Sequence, residues 1–149
     1  MRPLLSSHSR AFLASVTSLI ALTATSASAN PLDTVSGLWL NDSKSGHIEI
    51  LDCGDGTPCG HLRWVQTDQS GEPKDINNSD VALRSRPLIG VKMLSGFKLK
   101  KDRWKKGTIY NPKDGKTYGS SLKRLDPTTL QVKGCVGPIC KKQIWTLVP

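Results

Sequence analysis

Short stretches in which apolar and polar residues alternate recur along the chain, with turn-forming residues between them. Residues 47–51 and 129–136 show the alternation most clearly. A period of two places alternate side chains on opposite faces, which is typical of a half-buried β-strand. About eight such strands with almost no helix predict an all-β domain, either an antiparallel barrel or a sandwich.

Because successive hairpins join the strands and closure removes exposed edges, we favour a single antiparallel up-and-down barrel. An eight-stranded barrel has an interior that fits one small ligand or a filling of side chains. Its clearest hairpin is at residues 111–115, where Pro112 fixes φ and Gly115 supplies a positive φ. We expect Tyr110 and Tyr118 to lie on its two strands. Leu62 and Trp64 alternate elsewhere, which predicts that they share a face.

A long polar connection, residues 67–86, interrupts the strand series. Ser79 or Asp80 is a suitable cap for one short helix over residues 81–85. The remaining polar residues have two interpretations, and we favour an ion-pair network that pins the loop to the barrel. The other is a polar rim at a cavity mouth, where Arg84 or Arg86 holds an anionic head group. The predicted polar loop residues are Asp75, Asn77, Asn78 and Asp80, and the predicted ligand-binding residues are Trp64, Arg84, Arg86, Tyr110 and Tyr118.

The N-terminus has the pattern of an export signal. Arg2 and Arg10 precede or flank an apolar run at 11–22, and residues 27–29 read Ala-Ser-Ala. This predicts a cleaved secretory signal peptide at 1–29 and one barrel domain at 30–149, in the periplasm or secreted. Loss of the two arginines lowers the formal net charge from +9 to +7. Lysines are densest at 98–106, which we interpret mainly as solvated strand ends and otherwise as a weak contact for an anionic surface.

An exported chain with four cysteines suggests disulfides. Three pairings are possible, and we favour Cys53–Cys59 and Cys135–Cys140, since each pair flanks a loop with Gly and Pro. Neither spacing matches a zinc knuckle, and the glycine-rich loop at 52–60 has too few oxygen ligands for calcium. We therefore predict no metal and no cofactor. We also expect no nucleic acid partner, because an exported protein rarely meets one.

No catalytic set stands out in the sequence. His47 and His61 are the histidines of the predicted domain, without a free thiol or a Gly-x-Ser-x-Gly elbow nearby. We therefore predict that the protein is not an enzyme and binds a small amphiphilic or apolar ligand. One alternative is a basic envelope protein that contacts an anionic polymer or membrane. A second is a hydrolase-like enzyme that uses Asp75 or Asp80. The sequence leaves the oligomeric state open.

Several stretches resemble one family of small secreted bacterial proteins, domain of unknown function 2147. They are Gly37-Leu38-Trp39, Cys53 with Cys59-Gly60, residues 75–90, Gly107 to Pro112, Asp114 to Tyr118, Gly134-Cys135 and Trp145-Thr146. The resemblance implies a lipocalin-like (calycin) barrel with no established activity and no catalytic residues.

Two positions depart from the family pattern. Ser79 stands where the family usually has Pro, and Leu147 stands where it often has Arg. In lipocalin-like barrels a basic residue packs over the first Trp, here Trp39. The resemblance therefore makes Lys141, Lys142 and Arg86 the candidates for a cation at that place. If none of them supplies it, apolar packing alone closes the barrel floor near Trp39.

Overall fold

The computed structural model describes residues 30–149. The predicted signal peptide, 1–29, lies outside the described residues. Nine antiparallel strands follow one another along the chain: β1 (Gly37–Leu40), β2 (Gly46–Asp52), β3 (Pro58–Val65), β4 (Lys92–Ser95), β5 (Lys98–Lys100), β6 (Arg103–Asn111), β7 (Lys116–Asp126), β8 (Thr129–Val136) and β9 (Ile139–Leu147).

The sheet closes into a barrel of eight strands. Neighbouring strands pair in the order β4-β3-β2-β1-β9-β8-β7-β6-β5, and β4 also pairs with β6. The remaining strand, β5, lies outside this count of eight. It follows β4 after a break at Gly96, whose φ is 73°, and pairs with the same strand, β6. The predicted fold class, an antiparallel lipocalin-like barrel of about eight strands, is confirmed.

Helical structure is limited to two single turns of 3-10 helix within residues 30–149. The turn at Val81–Leu83 is shorter than the predicted helix, and the Asp80 side chain caps it by accepting from the Ala82 amide at 3.0 Å. The turn at Pro31–Thr34, capped by Asn30, was not predicted. It precedes the first strand, which begins at Gly37.

The barrel interior holds most of the buried apolar side chains. Ile48 and Ile50 of β2, and Leu130 and Val132 of β8, are fully buried. Complete burial of each such side chain contributes roughly 1.5–3 kcal/mol. The other large side chains with almost no exposure are Trp39, Leu62, Leu94, Phe97, Leu122 and Trp145.

Trp64 does not share the inward face of Leu62. The register of β2 and β3 shifts after the second pair, so that His47 opposes Trp64 while Ile48 opposes Leu62. Arg63 is therefore the extra residue of a β-bulge, which interrupts the period of two. Trp64 is 43% exposed, and its ring packs against His47 on the outside of the barrel. The predicted shared face of Leu62 and Trp64 is wrong for this reason.

One end of the barrel is closed around Trp39. The guanidinium carbon of Arg124, on β7, lies 4.7 Å from the centroid of the Trp39 ring, a cation–π contact of about 1 kcal/mol. The same guanidinium donates to the backbone carbonyls of Thr34, Asp126 and Pro127. The cation expected from Lys141, Lys142 or Arg86 therefore comes from a residue that the sequence analysis did not consider.

Both predicted disulfides are present. Cys53–Cys59 closes the loop between β2 and β3, and Cys135–Cys140 joins β8 to β9 near their turn. Each bond links residues that are already close in sequence, so each fixes a hairpin tip rather than the order of the strands.

A substitution at Gly115 tests whether the β6–β7 turn packs against the long connection. The φ of Gly115 is 67°, and a Cβ at this position would overlap the backbone carbonyl of Asn77 in the long connection. Gly137 has a similar φ of 55° but open space around it. We expect Gly115→Ala to lower the free energy of unfolding by about 3 kcal/mol, from backbone strain and steric overlap together.

Gly137→Ala is the matched control and should cost only about 1 kcal/mol, the part due to φ alone. Chemical denaturation of the three proteins measures both values. Equal losses in the two variants would show that the connection does not press against the turn.

Candidate functional site

The end of the barrel opposite Trp39 is open. The turns that follow β1, β6 and β8 meet there and surround a cavity of about 550 Å³. Side chains from several strands form its apolar part: Ile48, Met93, Ile109 and Trp145. Its polar part lies on the turns and the adjoining strand ends: Asn41, Asp42, Ser43, Asn111, Lys113, Asp114, Lys141 and Gln143. The cavity is thus apolar toward the core, and its mouth carries these polar groups together with the apolar Val136 and Ile139 of the β8–β9 hairpin.

Alternation along β9 produces this gradient. Trp145, Gln143 and Lys141 lie on the same face at successive steps from the core to the mouth. Trp145 is buried, and its Nε1 donates to Oε1 of Gln143 at 2.9 Å. Ser120 of β7 is also buried, though it does not line the cavity, and its Oγ has no hydrogen-bond partner among residues 30–149. The interior therefore offers polar atoms as well as apolar surface.

The charged rim contains both signs. Lys113 and Lys141 line the cavity together with Asp42 and Asp114. Asp114 Oδ2 accepts from the Tyr118 hydroxyl at 2.6 Å, which places that ring on the wall. Burial raises the pKa of Asp114, but hydrogen bonds from Tyr118 and the Lys116 amide outweigh burial and leave this pKa below its usual value. The rim carboxylate therefore stays charged at neutral pH.

The barrel wall beside the mouth has a gap between β3 and β6. Strand β4 pairs with β6 only through Leu94↔Ile109 and Ser95↔Thr108. The last residues of β6, Tyr110 and Asn111, therefore have no strand on that side. The whole connection between β3 and β4, residues 66–91, fills the gap. It includes the polar stretch 67–86, and we refer to all of it as the long connection. The Gly90 amide donates to the carbonyl of Leu62 in β3, and the Leu62 amide donates to the carbonyl of Val91.

A buried carboxylate ties this connection to β6. Asp75 is 1% exposed, and its Oδ1 accepts from the Tyr110 hydroxyl at 2.5 Å. Its Oδ2 accepts from Nδ2 of Asn78 at 2.7 Å and Nε of Arg86 at 2.9 Å. A second guanidinium nitrogen of Arg86 lies 2.8 Å from the same oxygen. We call these four residues the Asp75 network. It compensates the cost of a buried charge, which is several kcal/mol for an unpaired group.

The network also changes the acidity of its phenol. Burial, followed by the hydrogen bond to Asp75, raises the pKa of Tyr110 to about 12. The ionised phenol would face the carboxylate, so the folded protein holds the proton more tightly than an exposed tyrosine does.

The other polar residues of the connection bind its own backbone or a turn. Asn77 Nδ2 donates to the carbonyls of Pro112 and Lys113, and Arg84 Nε donates to the carbonyl of Asn78 at 2.8 Å. Asp80 caps the 3-10 turn. These groups therefore hold the connection in place.

The structure separates the five predicted ligand-binding residues. Tyr110 and Tyr118 lie on the cavity wall, whereas Trp64, Arg84 and Arg86 do not line it. The sequence analysis missed the residues of the apolar part, together with Lys141 and Gln143. Alternation did place Gln143, Trp145 and Leu147 on one face, but no sequence signal identified that face as the inner one.

The remaining candidates for chemistry lie outside the cavity. Neither His47 nor His61 lines it. Burial, with the nearby cations Arg63 and Lys92, lowers the pKa of His61. Within residues 30–149, no three His, Cys, Asp or Glu side chains are grouped as a metal site would require. In the same range, no helix has the length and apolar character that would cross a membrane.

Comparison with known proteins gives one family and one related structure. Residues 37–147 match the family model described as "Uncharacterized protein conserved in bacteria (DUF2147)". A solved structure, protein HP1028 from the human pathogen Helicobacter pylori, which is described as belonging to the lipocalin family, is similar with a TM-score of 0.68. The two chains are 26% identical over 77% of this chain and 83% of HP1028. No curated protein matches the sequence.

The Asp75 network predicts a stability loss for Tyr110→Phe. Removing the hydroxyl deprives a buried carboxylate of one donor, and we expect the free energy of unfolding to fall by about 2 kcal/mol. Tyr118→Phe is the matched control, because its hydroxyl bonds to the exposed Asp114, and it should cost less. Denaturant titration at neutral pH compares the three proteins.

The raised pKa of Tyr110 adds a pH dependence. Below pH 10 the phenol is protonated in both states and its contribution is complete; as pH rises from about 10 to about 12 the unfolded state ionises first, and the contribution is lost. The stability difference between wild type and Tyr110→Phe should therefore shrink across this range. A difference that stays constant from pH 9 to pH 12 would contradict the network.

Proposed function

The chain belongs to the DUF2147 family of uncharacterised bacterial proteins, and from this membership and its lipocalin-like barrel we propose that it is a non-enzymatic binding protein for a small amphiphilic or apolar ligand. The ligand would occupy the open end of the barrel. The observation that carries the proposal is the cavity there, with its apolar interior and polar mouth.

The size of the cavity supports a small molecule. Ligand pockets commonly measure about 300–1,000 Å³, and the volume here, about 550 Å³, lies within that range. A filled barrel would leave no such space, and the same fold does fill its other end with Trp39, Phe97 and Trp104. The open end is therefore the place for a ligand.

The polarity gradient supports an amphiphile. An apolar chain would contact Ile109 and Trp145, which gains about 25 cal/mol for each Å² removed from water. A polar group at the other end of the ligand would lie near Gln143, Lys141 and Lys113 at the mouth. This orientation satisfies both ends of the molecule, whereas the reverse would bury the polar group against the aromatic ring.

Binding explains the polar residues better than catalysis does. Both oxygens of Asp75 accept hydrogen bonds from protein groups, and Asp80 is a helix cap. Neither carboxylate lines the cavity. A general acid or base must reach the substrate, so these two residues are poorly placed for hydrolysis.

We also propose that the protein is exported, with residues 1–29 removed as a signal peptide. The two disulfides support this, because such bonds persist in oxidising compartments such as the periplasm.

Gly134→Leu tests the binding site by filling it. Gly134 lines the cavity, and a Cβ there would meet only Cγ2 of Ile109, at an ordinary contact distance of 3.7 Å. The larger side chain should occupy ligand volume without displacing the backbone. We expect the affinity for the amphiphilic probe anilinonaphthalene sulfonate, measured by fluorescence titration, to fall at least about tenfold, because overpacking a site of fixed shape costs about 1–3 kcal/mol.

Gly119→Leu is the matched control. Gly119 lies on the neighbouring strand, is exposed and does not line the cavity. This variant should bind the probe as wild type does, and thermal unfolding should show that both variants fold. Absence of probe binding to wild type, or equal affinity in the two variants, would contradict the proposed site.

A further inference from the structure

The β8–β9 hairpin forms part of the rim of the cavity and ends in two exposed apolar residues. Val136 is 65% exposed and Ile139 is 78% exposed, and they face each other across the turn. The disulfide Cys135–Cys140 joins the strands directly behind them. We propose that this hairpin docks the open end of the barrel onto an anionic phospholipid surface.

Positive charge surrounds the apolar tip. Lys133 and Lys142 are directly opposed on the outer face of the hairpin, and Lys141 lies on its inner face at the cavity rim. Like charges opposite one another destabilise a sheet, so this arrangement favours an external anion. Among residues 30–149, four ion pairs form, and none includes a cation of this hairpin.

The acidic groups at the mouth do not cancel this charge. Asp42 and Asp114 lie at the rim, where each already accepts a hydrogen bond, from the Ile144 amide and the Tyr118 hydroxyl respectively. Lys113 of the β6–β7 turn adds a further cation at the same end. The mouth therefore presents four lysines against two carboxylates around an apolar tip.

The four lysines around the apolar tip form a basic collar: Lys113, Lys133, Lys141 and Lys142. A tip and collar of this kind match the two contributions that hold a peripheral protein to a membrane. Apolar side chains gain free energy by entering the interface, and each nearby Lys gains from an anionic leaflet. Neither contribution alone gives stable attachment. The rigid, disulfide-linked turn presents both together, since its apolar pair needs no rearrangement to reach the surface.

The lysine-rich stretch singled out in the sequence has a different character. It forms the β5–β6 hairpin at the closed end, where Lys98 opposes Lys105 and Lys100 opposes Arg103. Its turn, however, consists of Lys101 and Asp102, so it lacks an apolar tip. Asp102 also pairs with Arg103 and Lys123. The one exposed apolar residue of β5, Leu99, lies along the strand and not at the tip, so the preferred contact with an anionic surface lies at the opposite end of the barrel.

Docking at the mouth would bring the cavity against the lipid head groups. An amphiphile could then pass between bilayer and barrel without crossing water. The docking itself does not require that the cavity binds a ligand. Val136, Ile139 and Lys141 border the cavity, but Lys133 and Lys142 lie on the outer face of the hairpin and do not line it. The two proposals are therefore tested with different variants and different probes.

Co-sedimentation with vesicles tests the proposal on the exported chain, residues 30–149. We expect binding to phosphatidylcholine vesicles that contain phosphatidylglycerol, weaker binding as salt rises, and little binding to phosphatidylcholine alone. Lys133→Gln with Lys142→Gln should lower the affinity about thirtyfold, the effect of two basic residues near an anionic leaflet. Val136→Ser with Ile139→Ser should lower it at least about tenfold.

Each double variant has a control of matched chemistry. Lys98→Gln with Lys105→Gln removes an opposed lysine pair at the closed end. Val81→Ser with Leu83→Ser removes two exposed apolar side chains from the 3-10 turn. Both controls should bind within about twofold of wild type, because they lie outside the tip and its collar.

Two results would overturn the proposal. One is absence of binding to the anionic vesicles, which would leave the apolar tip to some other partner. The other is an equal loss of affinity in the two lysine variants, which would show unoriented attraction to a basic protein. A loss of probe binding in Gly134→Leu with vesicle binding intact would leave the docking proposal standing.

Discussion

The carboxylate of Asp75 is the constraint on which the open end of the barrel depends. A charge that is 1% exposed is costly unless several groups compensate it. Two of its partners, Asn78 and Arg86, belong to the long connection, and the third, Tyr110, belongs to β6. The network can form only when the connection lies against β6. It thereby completes the wall that the short strand β4 leaves open.

The two ends of the barrel solve the same packing problem differently. At the closed end, Arg124 covers the Trp39 ring. The same side chain donates to three backbone carbonyls, which hold it in that position. At the open end, the turns stand apart around the cavity, and Val136 and Ile139 remain exposed. The closed end is therefore filled by side chains, whereas the open end keeps a cavity.

Consecutive hairpins and the family resemblance favoured a barrel over a sandwich. Alternation predicted the strands, because the period of two directly reports which side chains share a face. It predicted β8 with its observed bounds, Thr129–Val136, and short Gly- and Pro-containing loops predicted both disulfides. It failed at Trp64, where a single extra residue in β3 reverses the faces. Arg124 was missed because its contact with Trp39 joins residues far apart in sequence. Most of the residues that line the cavity were missed, because its height depends on how far each turn extends, which periodicity does not encode.

Native mass spectrometry of the protein purified from its own host tests the central claim, that the open barrel end holds a small amphiphile, most directly. We predict a population whose mass exceeds that of the bare chain by one lipid-sized molecule, and that this excess mass disappears on denaturation. Gly134→Leu, prepared in the same way, should carry much less of it. A wild-type spectrum that contains only the bare protein mass would contradict the account.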